Sequence, residues 1–283
     1  MVAGFSFHAL RRPGFEVAVL GAEGDSSGFP KHTHDEFVVS ANLAGAEAVW
    51  LDGRAFEAGP GEITAYNPGA VQASRALPVR GGGSSDAWRF VSLYAEPGFA
   101  ADALGLATPP TLSAPLLRSP AALAALRRLA AMVAASRAAD LPPGLVEEQA
   151  VAALTAVAVP AADATASESR PARGDDDPAV RRAAAMLLDR LADPPTLAEL
   201  AREAGLSREG LVRRFGAACG LPPMAWALQR RLARARALLR AGVAPAEAAA
   251  ALGFADQAHL TRLFRRAAGT TPGRYRAAGG GAV

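Results

Sequence analysis

Two stretches near the C-terminus repeat each other. Ala198, Glu199, Leu200, Ala201, Gly205, Leu211, Arg213, Phe215, Gly220, Pro223 and Trp226 return as Ala246, Glu247, Ala248, Ala249, Gly253, Leu260, Arg262, Phe264, Gly269, Pro272 and Tyr275. The offset is 48 residues up to the glycine and 49 beyond it, so the second copy carries one extra residue in its turn. Self-similarity at one period requires the same supersecondary unit twice, whatever the rest of the chain does.

Each copy reads as helix, glycine turn, helix. In the first, from about residue 196 to 218, Thr196 and Glu199 have the spacing of a capping box, and Leu197, Leu200, Ala201 and Ala204 fall on one helical face. Gly205 supplies the left-handed backbone of a tight turn. Ser207 caps a second helix that turns Leu211 and Phe215 inward and leaves Arg208, Glu209, Val212, Arg213 and Arg214 outside. In the second copy, about 245 to 268, a helix from Pro245 to Leu252 meets Gly253, and Asp256 caps a helix with Leu260 and Phe264 inward. Its outward set is Gln257, Ala258, His259, Thr261, Arg262, Arg265 and Arg266. This geometry places a second helix in the DNA major groove, although it also occurs in helical proteins that never meet DNA. Two copies with matching arginines favour DNA.

Between the copies, Met224 to Arg240 reads as one helix, with Trp226, Leu232, Ala235, Leu238 and Leu239 inward and Arg230, Arg231, Arg234, Arg236 and Arg240 outside. Such a rod is about 26 Å long at ~1.5 Å per residue. One turn of B-DNA is about 34 Å, so the rod plus its flanking units sets two reading helices into successive groove segments on one DNA face.

The run from Gly253 through Phe254, Ala255, Asp256, Gln257, Ala258, His259, Leu260, Thr261, Arg262, Leu263, Phe264 and Arg265 to Arg266, closing with Gly269 to Arg276, resembles the signature of AraC/XylS-type bacterial transcription regulators. The resemblance covers about Pro178 to Ala278. It implies that bases are read by Arg208, Glu209, Val212 and Arg213 in the first unit and by Gln257, Ala258, His259 and Arg262 in the second, with Arg265 and Arg266 near phosphate. Two departures stand out. Ala248 replaces the family's usual isoleucine and Pro245 another apolar residue, so the second unit's first helix is expected to pack more loosely. Glu209 and Gly210 replace larger or basic residues, and a glutamate accepts from cytosine N4 but repels phosphate.

Charge divides the chain the same way. From residue 178 onward seventeen arginines face seven carboxylates, a net +10, which leaves the first 177 residues at −7 of the chain's +3. A basic C-terminal part suits a polyanion, and an acidic N-terminal part resists lying on one. Residues 161–177 are small, polar and charged without apolar periodicity and read as a flexible linker, dividing a domain over 1–160 from one over 178–278.

Within the first domain, short apolar runs at Glu16 to Leu20, Phe37 to Asn42, Ala48 to Leu51, Ile63 to Tyr66 and Trp88 to Tyr94 lie among turn residues, the pattern of a small β-barrel or sandwich. Ser119 to Arg137 and Gly144 to Val159 then turn helical, with Leu123, Leu126, Leu129 and Val133 as one stripe and Val146, Val151, Leu154 and Val157 as another. This pair either covers the barrel or meets its copy in a dimer. The fold class expected is therefore α+β in two domains: a cupin-like barrel with a trailing helix pair, and an all-α tandem helix-turn-helix.

Pro30 to Phe37 contains His32, His34 and Glu36, a set that tempts toward a metal, because an His-x-His pair on a strand puts both imidazoles on one face. It looks like the first cupin motif. However, Glu36 follows His34 too closely, and Gln72 stands where the second motif would carry a ligand histidine. No metal or cofactor is expected. The same segment, with the Asn67-Pro68-Gly69 turn, resembles the small-molecule-binding barrel of AraC-type regulators, which implies a sensor whose pocket involves His32, His34, Glu36, Trp50 and Tyr66, with Trp88 and Tyr94 as further aromatic candidates.

The single cysteine, Cys219, excludes an intrachain disulfide. A DNA-repair methyl acceptor needs a reactive cysteine outside the reader, and there is none. No segment has signal-peptide or bilayer length, which points to the cytoplasm. The expectation is a non-enzymatic regulator binding double-stranded DNA and a small-molecule effector, working as a homodimer with RNA polymerase as a further partner. The alternative is a cupin metalloenzyme fused to a DNA-targeting module.

Overall fold

The computed structural model describes residues 5–22, 28–77, 88–135, 143–158 and 177–278. The chain forms two compact units, residues 1–164 with 277–283, and residues 165–276. Residues 161–176 of the expected linker lie outside the described residues.

The first unit contains two antiparallel sheets. Strands β1 (Phe5–Arg12), β2 (Phe15–Ala22), β4 (Phe37–Ala44), β7 (Ile63–Tyr66), β9 (Trp88–Ala95) and β10 (Leu116–Leu117) form the larger, in the order β1-β2-β9-β4-β7-β10. Strands β3 (Gly28–His32), β5 (Glu47–Leu51), β6 (Arg54–Ala58) and β8 (Gln72–Ala76) form the smaller, in the order β3-β8-β5-β6. The apolar runs expected to be strands became β2, β4, β5, β7 and β9. Of the others, β1, β6 and β8 interleave Ser, Arg, Glu or Ala with no β-branched residue, β3 contains Gly and Pro, and β10 is only two residues long.

The larger sheet has two chemically distinct faces, a consequence of the two-residue strand period. Phe15, Val17, Phe37, Val39, Ala41, Ile63, Ala65, Val91, Leu93 and Ala95 make an aliphatic layer under the helices. The helices α1 (Pro97–Ala103), α2 (Pro120–Ala135) and α3 (Pro143–Ala158) cover that layer, burying Leu126, Leu129, Val133, Val146, Ala150, Ala153 and Leu154. Each fully buried leucine contributes roughly 2 kcal/mol relative to exposure. The helix pair covers the sheet, one of the two roles expected of it. The opposite face, carrying Val38, Ser40, Asn42, Thr64, Tyr66, Trp88, Phe90, Ser92 and Tyr94, turns toward the smaller sheet.

The second unit is helical: α4 (Pro178–Asp189), α5 (Leu197–Ala204), α6 (Arg208–Cys219), α7 (Pro223–Arg240), α8 (Pro245–Ala251), α9 (Gln257–Ala268) and α10 (Pro272–Ala278). The sequence-derived stops and starts recur. Thr196 and Glu199 form a full capping box. Ser207 accepts from the Gly210 N–H, and Asp256 from the His259 N–H. Ala244 has no side-chain acceptor, so the α8 box is half made, with its N–H donating to Glu247 at 3.3 Å. Leu200, Leu211, Phe215, Leu260 and Phe264 are fully buried. Phe215 meets Trp226 edge-on at 5.6 Å, and the repeat mates Phe264 and Tyr275 do the same at 5.3 Å.

One expectation changes. Arg236 is not outside but 5% exposed. It sits four residues after Leu232 and three before Leu239, both buried, so helical periodicity carries it onto the inner face, where its methylene stem packs. At α8, Ala248 and Ala249 are buried, 0% and 1% exposed.

The two turn glycines differ. Both are left-handed, Gly205 at φ 69° and Gly253 at φ 65°. A Cβ on Gly205 would meet nothing, whereas one on Gly253 would lie 1.7 Å from the Ala192 carbonyl oxygen. Gly205→Ala is therefore expected to cost about 1–2 kcal/mol, the left-handed penalty alone. Gly253→Ala must also displace backbone, and should cost roughly 2–3 kcal/mol more. Urea denaturation followed by circular dichroism compares the two, and equal losses would mean that residue 253 has room.

Candidate nucleic-acid interface

The exposed faces of α6 and α9 carry most of the residues expected to meet DNA. Arg208, Glu209 and Arg213 are exposed on α6 with Val212 half-buried, and Gln257, Ala258, Arg262, Arg265 and Arg266 are exposed on α9. Arg213 and Arg262 are repeat mates, each on the outward side of a helix whose opposite side holds a fully buried leucine and phenylalanine. Both helices begin at a side-chain cap, so their first turns are held by Ser207 and Asp256.

Two of the residues expected to face DNA are occupied within the protein. Arg214 donates through Nε to Asp177 at 2.8 Å, the residue that caps α4. His259 is half-buried, its Nδ1 accepting from the Ala255 N–H at 3.4 Å and its ring meeting Phe254 edge-on at 5.7 Å. The structure also gives roles to arginines expected only as surface charge. Arg230 lies over the Trp226 ring at 4.9 Å. Arg231 donates through Nε to the Leu252 carbonyl at 2.8 Å and lies over Phe254 at 4.2 Å. Burial draws the Arg231 guanidinium below its ordinary pKa. In α4, Arg182 donates to the carbonyls of Glu203 at 3.3 Å and Ala204 at 3.2 Å. The signal that finds this pair is the Arg-Arg dipeptide at 181–182, which recurs at 230–231, 49 residues on and one more than the 48 of the stretch from Ala198 to Gly205.

In the first unit, His32 and His34 come together, their rings 5.0 Å apart, with His34 also 5.1 Å from Tyr94. The His32 Nδ1 lies 2.8 Å from the Pro30 carbonyl, which makes it the donor, and Nε2 then accepts from the Gln72 amide at 3.2 Å. Gln72 thus holds His32 at the position where a ligand histidine was sought. Glu36 and Tyr66 are buried. Trp50 does not join them: its strand neighbours Glu47 and Val49 face inward, and Trp50 lies on the opposite side of β5 under the Lys31 ammonium, 3.4 Å from the ring centre. Among the described residues no group of three or more His, Cys, Asp or Glu side chains is placed to hold a metal ion.

The reading of the sequence missed a polar network between the sheets. Trp88 Nε1 donates to Asn42 at 2.9 Å, and the Asn42 amide donates to the Ala58 carbonyl at 3.0 Å and to Glu47 at 3.4 Å. Ser40 and Ser92 are joined at 2.7 Å. Burial pushes the Glu47 carboxyl up to about 7, against the hydrogen bonds from Asn42 and Ser74. Burial and the neighbouring Glu47 charge push the Tyr66 phenol above its ordinary range. The alternation of β4 and β9 held the clue, because Ser40, Asn42 and Ser92 fall on the side away from the aliphatic layer.

With this geometry, the comparisons with known proteins are specific. The family described as AraC-like ligand binding domain matches residues 14–143. That described as Helix-turn-helix domain matches residues 200–278. The chain is of the AraC type. Relatives include the transcriptional activator NphR of Rhodococcus sp, 39% identical over 82 residues, 29% of this chain and 24% of NphR. A putative AraC-like transcription regulator of Streptomyces antibioticus is 37% identical over 101 residues, 35% of this chain and 33% of that protein. The AraC-type chain thus spans a quarter to a third of these curated relatives. Over the whole fold it resembles ToxT from Vibrio cholerae solved with an unsaturated fatty acid bound, with a TM-score of 0.56 at 13% identity, covering 96% of this chain and 98% of that one. Among the described residues no helix is long and apolar enough to cross a membrane.

Glu47 makes stability pH-dependent. Its folded pKa of about 7 exceeds the ordinary 4.5, so the folded chain holds the proton across that window while the unfolded chain has released it. The contribution is complete below about pH 4.5 and declines as pH rises to about 7, by up to roughly 3 kcal/mol. Denaturation midpoints across this range should fall less steeply for Glu47→Gln, and parallel curves for the two proteins would contradict the assignment.

Proposed function

We propose that this AraC-type chain is a transcription regulator that binds double-stranded DNA through α6 and α9 and answers to a small-molecule effector held between the sheets of its N-terminal unit. The observation that carries the reading is the pair of equivalent, capped helices presenting Arg213 and Arg262 outward on a part of the chain with net charge +10. Binding energy comes chiefly from arginine and phosphate, and sequence preference from a few side chains on two helices. Arg208, Glu209, Val212, Arg213, Gln257, Ala258 and Arg262 read bases, while Arg265 and Arg266 meet phosphate. Arg214 and His259 hold the reading units in shape.

The effector acts through a difference in affinity between arrangements of the protein, since a ligand bound equally by all of them shifts nothing. The relatives' names support activation, which makes RNA polymerase a partner, and the chain works as a homodimer in the cytoplasm. His32, His34, Glu36 and Tyr66 belong to the effector site. Glu47 and Asn42 frame it.

Selection of duplexes from a random library by the full chain tests the reading. Two enriched sequence blocks are expected, and no enrichment over random competitor would refute it. Arg262→Ala should relax preference within one block by about 1–3 kcal/mol and spare the other. Arg265→Ala should weaken binding to every duplex and reduce the salt slope by about 0.9. A uniform loss for Arg262→Ala would move that residue to the phosphate class.

A further inference from the structure

We propose that Arg231 is the positioning residue that holds the second reading helix against the rod, so that base discrimination by α9 depends on a side chain that does not meet DNA. The proposal rests on reading α6 and α9 as DNA-reading helices.

The duplication extends further upstream than the motif it began with. Arg182 on α4 and Arg231 on α7 are 49 residues apart, and the carbonyls they bind, Ala204 and Leu252, are 48 apart, so the second copy is one residue shorter between its supporting helix and the end of the next. Both turns are closed by the same backbone bonds. Gly205 N–H donates to Arg202 and Leu206 N–H to Ala201, as Gly253 N–H does to Ala250 and Phe254 N–H to Ala249. The repeating unit is therefore three helices, in which an arginine from the supporting helix caps the end of the next one. Carbonyls in a last helical turn lack intrahelical partners and carry partial negative charge, which a guanidinium satisfies.

The copies differ in how firmly this cap is held. Arg182 is exposed, its bonds are 3.2 and 3.3 Å, and the residue after its turn glycine is the aliphatic Leu206. Arg231 is half-buried, its bond is 2.8 Å, and it stacks on Phe254, which in turn meets His259 in the first turn of α9. Its Nη2 is shielded from solvent, an orientation opposite to that of a phosphate contact. On the other side of the same turn, Gly253 abuts the Ala192 carbonyl. Rod, turn and reading helix are thus connected by a continuous series of contacts from Arg231 through Leu252 and Phe254 to His259. A side chain that reads a base tolerates displacements of only about 0.5 Å or 10–20°. Loss of the Arg231 contacts leaves Arg262 present but unaimed.

The test uses a duplex enriched by the full chain, whose α9 block is identified as the one where Arg262→Ala loses preference. Replacing that block should weaken wild-type binding about tenfold or more. In Arg231→Met the same replacement should cost less than about threefold, with the α6 block penalty and the salt slope unchanged. Phe254→Leu, which installs the residue type of the first copy, should move in the same direction and carries the test if Arg231→Met melts early. An undiminished α9 penalty in both variants overturns the proposal. So does equal weakening on all duplexes with a salt slope lower by about 0.9, the mark of a phosphate contact. Failure of the wild-type chain to enrich any duplex overturns the DNA-reading assignment itself, a separate result from either of these.

Discussion

The carbonyl of Ala192 fills the space that any side chain on residue 253 would need. That single close approach joins the loop after α4, in the first copy of the repeat, to the turn of the second copy. With it the two copies become one body, because α7 spans them and Arg231 fixes the same turn from the rod side. Without a glycine there, the second turn would have to retreat from the first copy and take α9 with it. The repeat is thus a pair of similar units assembled asymmetrically, the second turn buttressed on both sides and the first open on the side of Gly205.

The N-terminal unit solves a different problem with the same economy of pattern. A six-stranded sheet offers its aliphatic face to three helices and its mixed face to a second sheet. Buried serines, Asn42, Thr64 and Glu47 on or opposite the mixed face cost stability unless each finds a partner. Asn42 serves as the hub, linking Trp88 on β9 to Glu47 on β5 and to the backbone of β6, so a polar interior is held together across the sheets. Glu47 keeps its proton to about pH 7 because water does not reach it.

Much of this was legible in the residues. The repeat located both reading helices, and Thr196, Ser207, Asp256 and the two glycines marked their ends, because caps and left-handed turns depend on local chemistry. The aliphatic strands were visible for the same reason. What escaped depends on tertiary context. Helix α4 was not read from the sequence, and its Arg181-Arg182 pair gains meaning only beside Arg230-Arg231. Arg236 reads as surface from its charge and is buried by its helical phase. Arg214 and His259 lie on outward faces in sequence, and only the fold shows Asp177 and Phe254 waiting for them. Trp50 is an aromatic on an inner-looking strand, but the strand period assigns it to the other side.

The central claim is that the two reading helices form one rigid frame. It is tested most directly by the distance distribution between spin labels at Glu209→Cys and Ala258→Cys in a full chain carrying Cys219→Ser, measured by pulsed electron resonance. A single narrow distribution, broadened when Gly253→Ala is added, is the expected result. A broad or two-peaked distribution in the parent protein would contradict it.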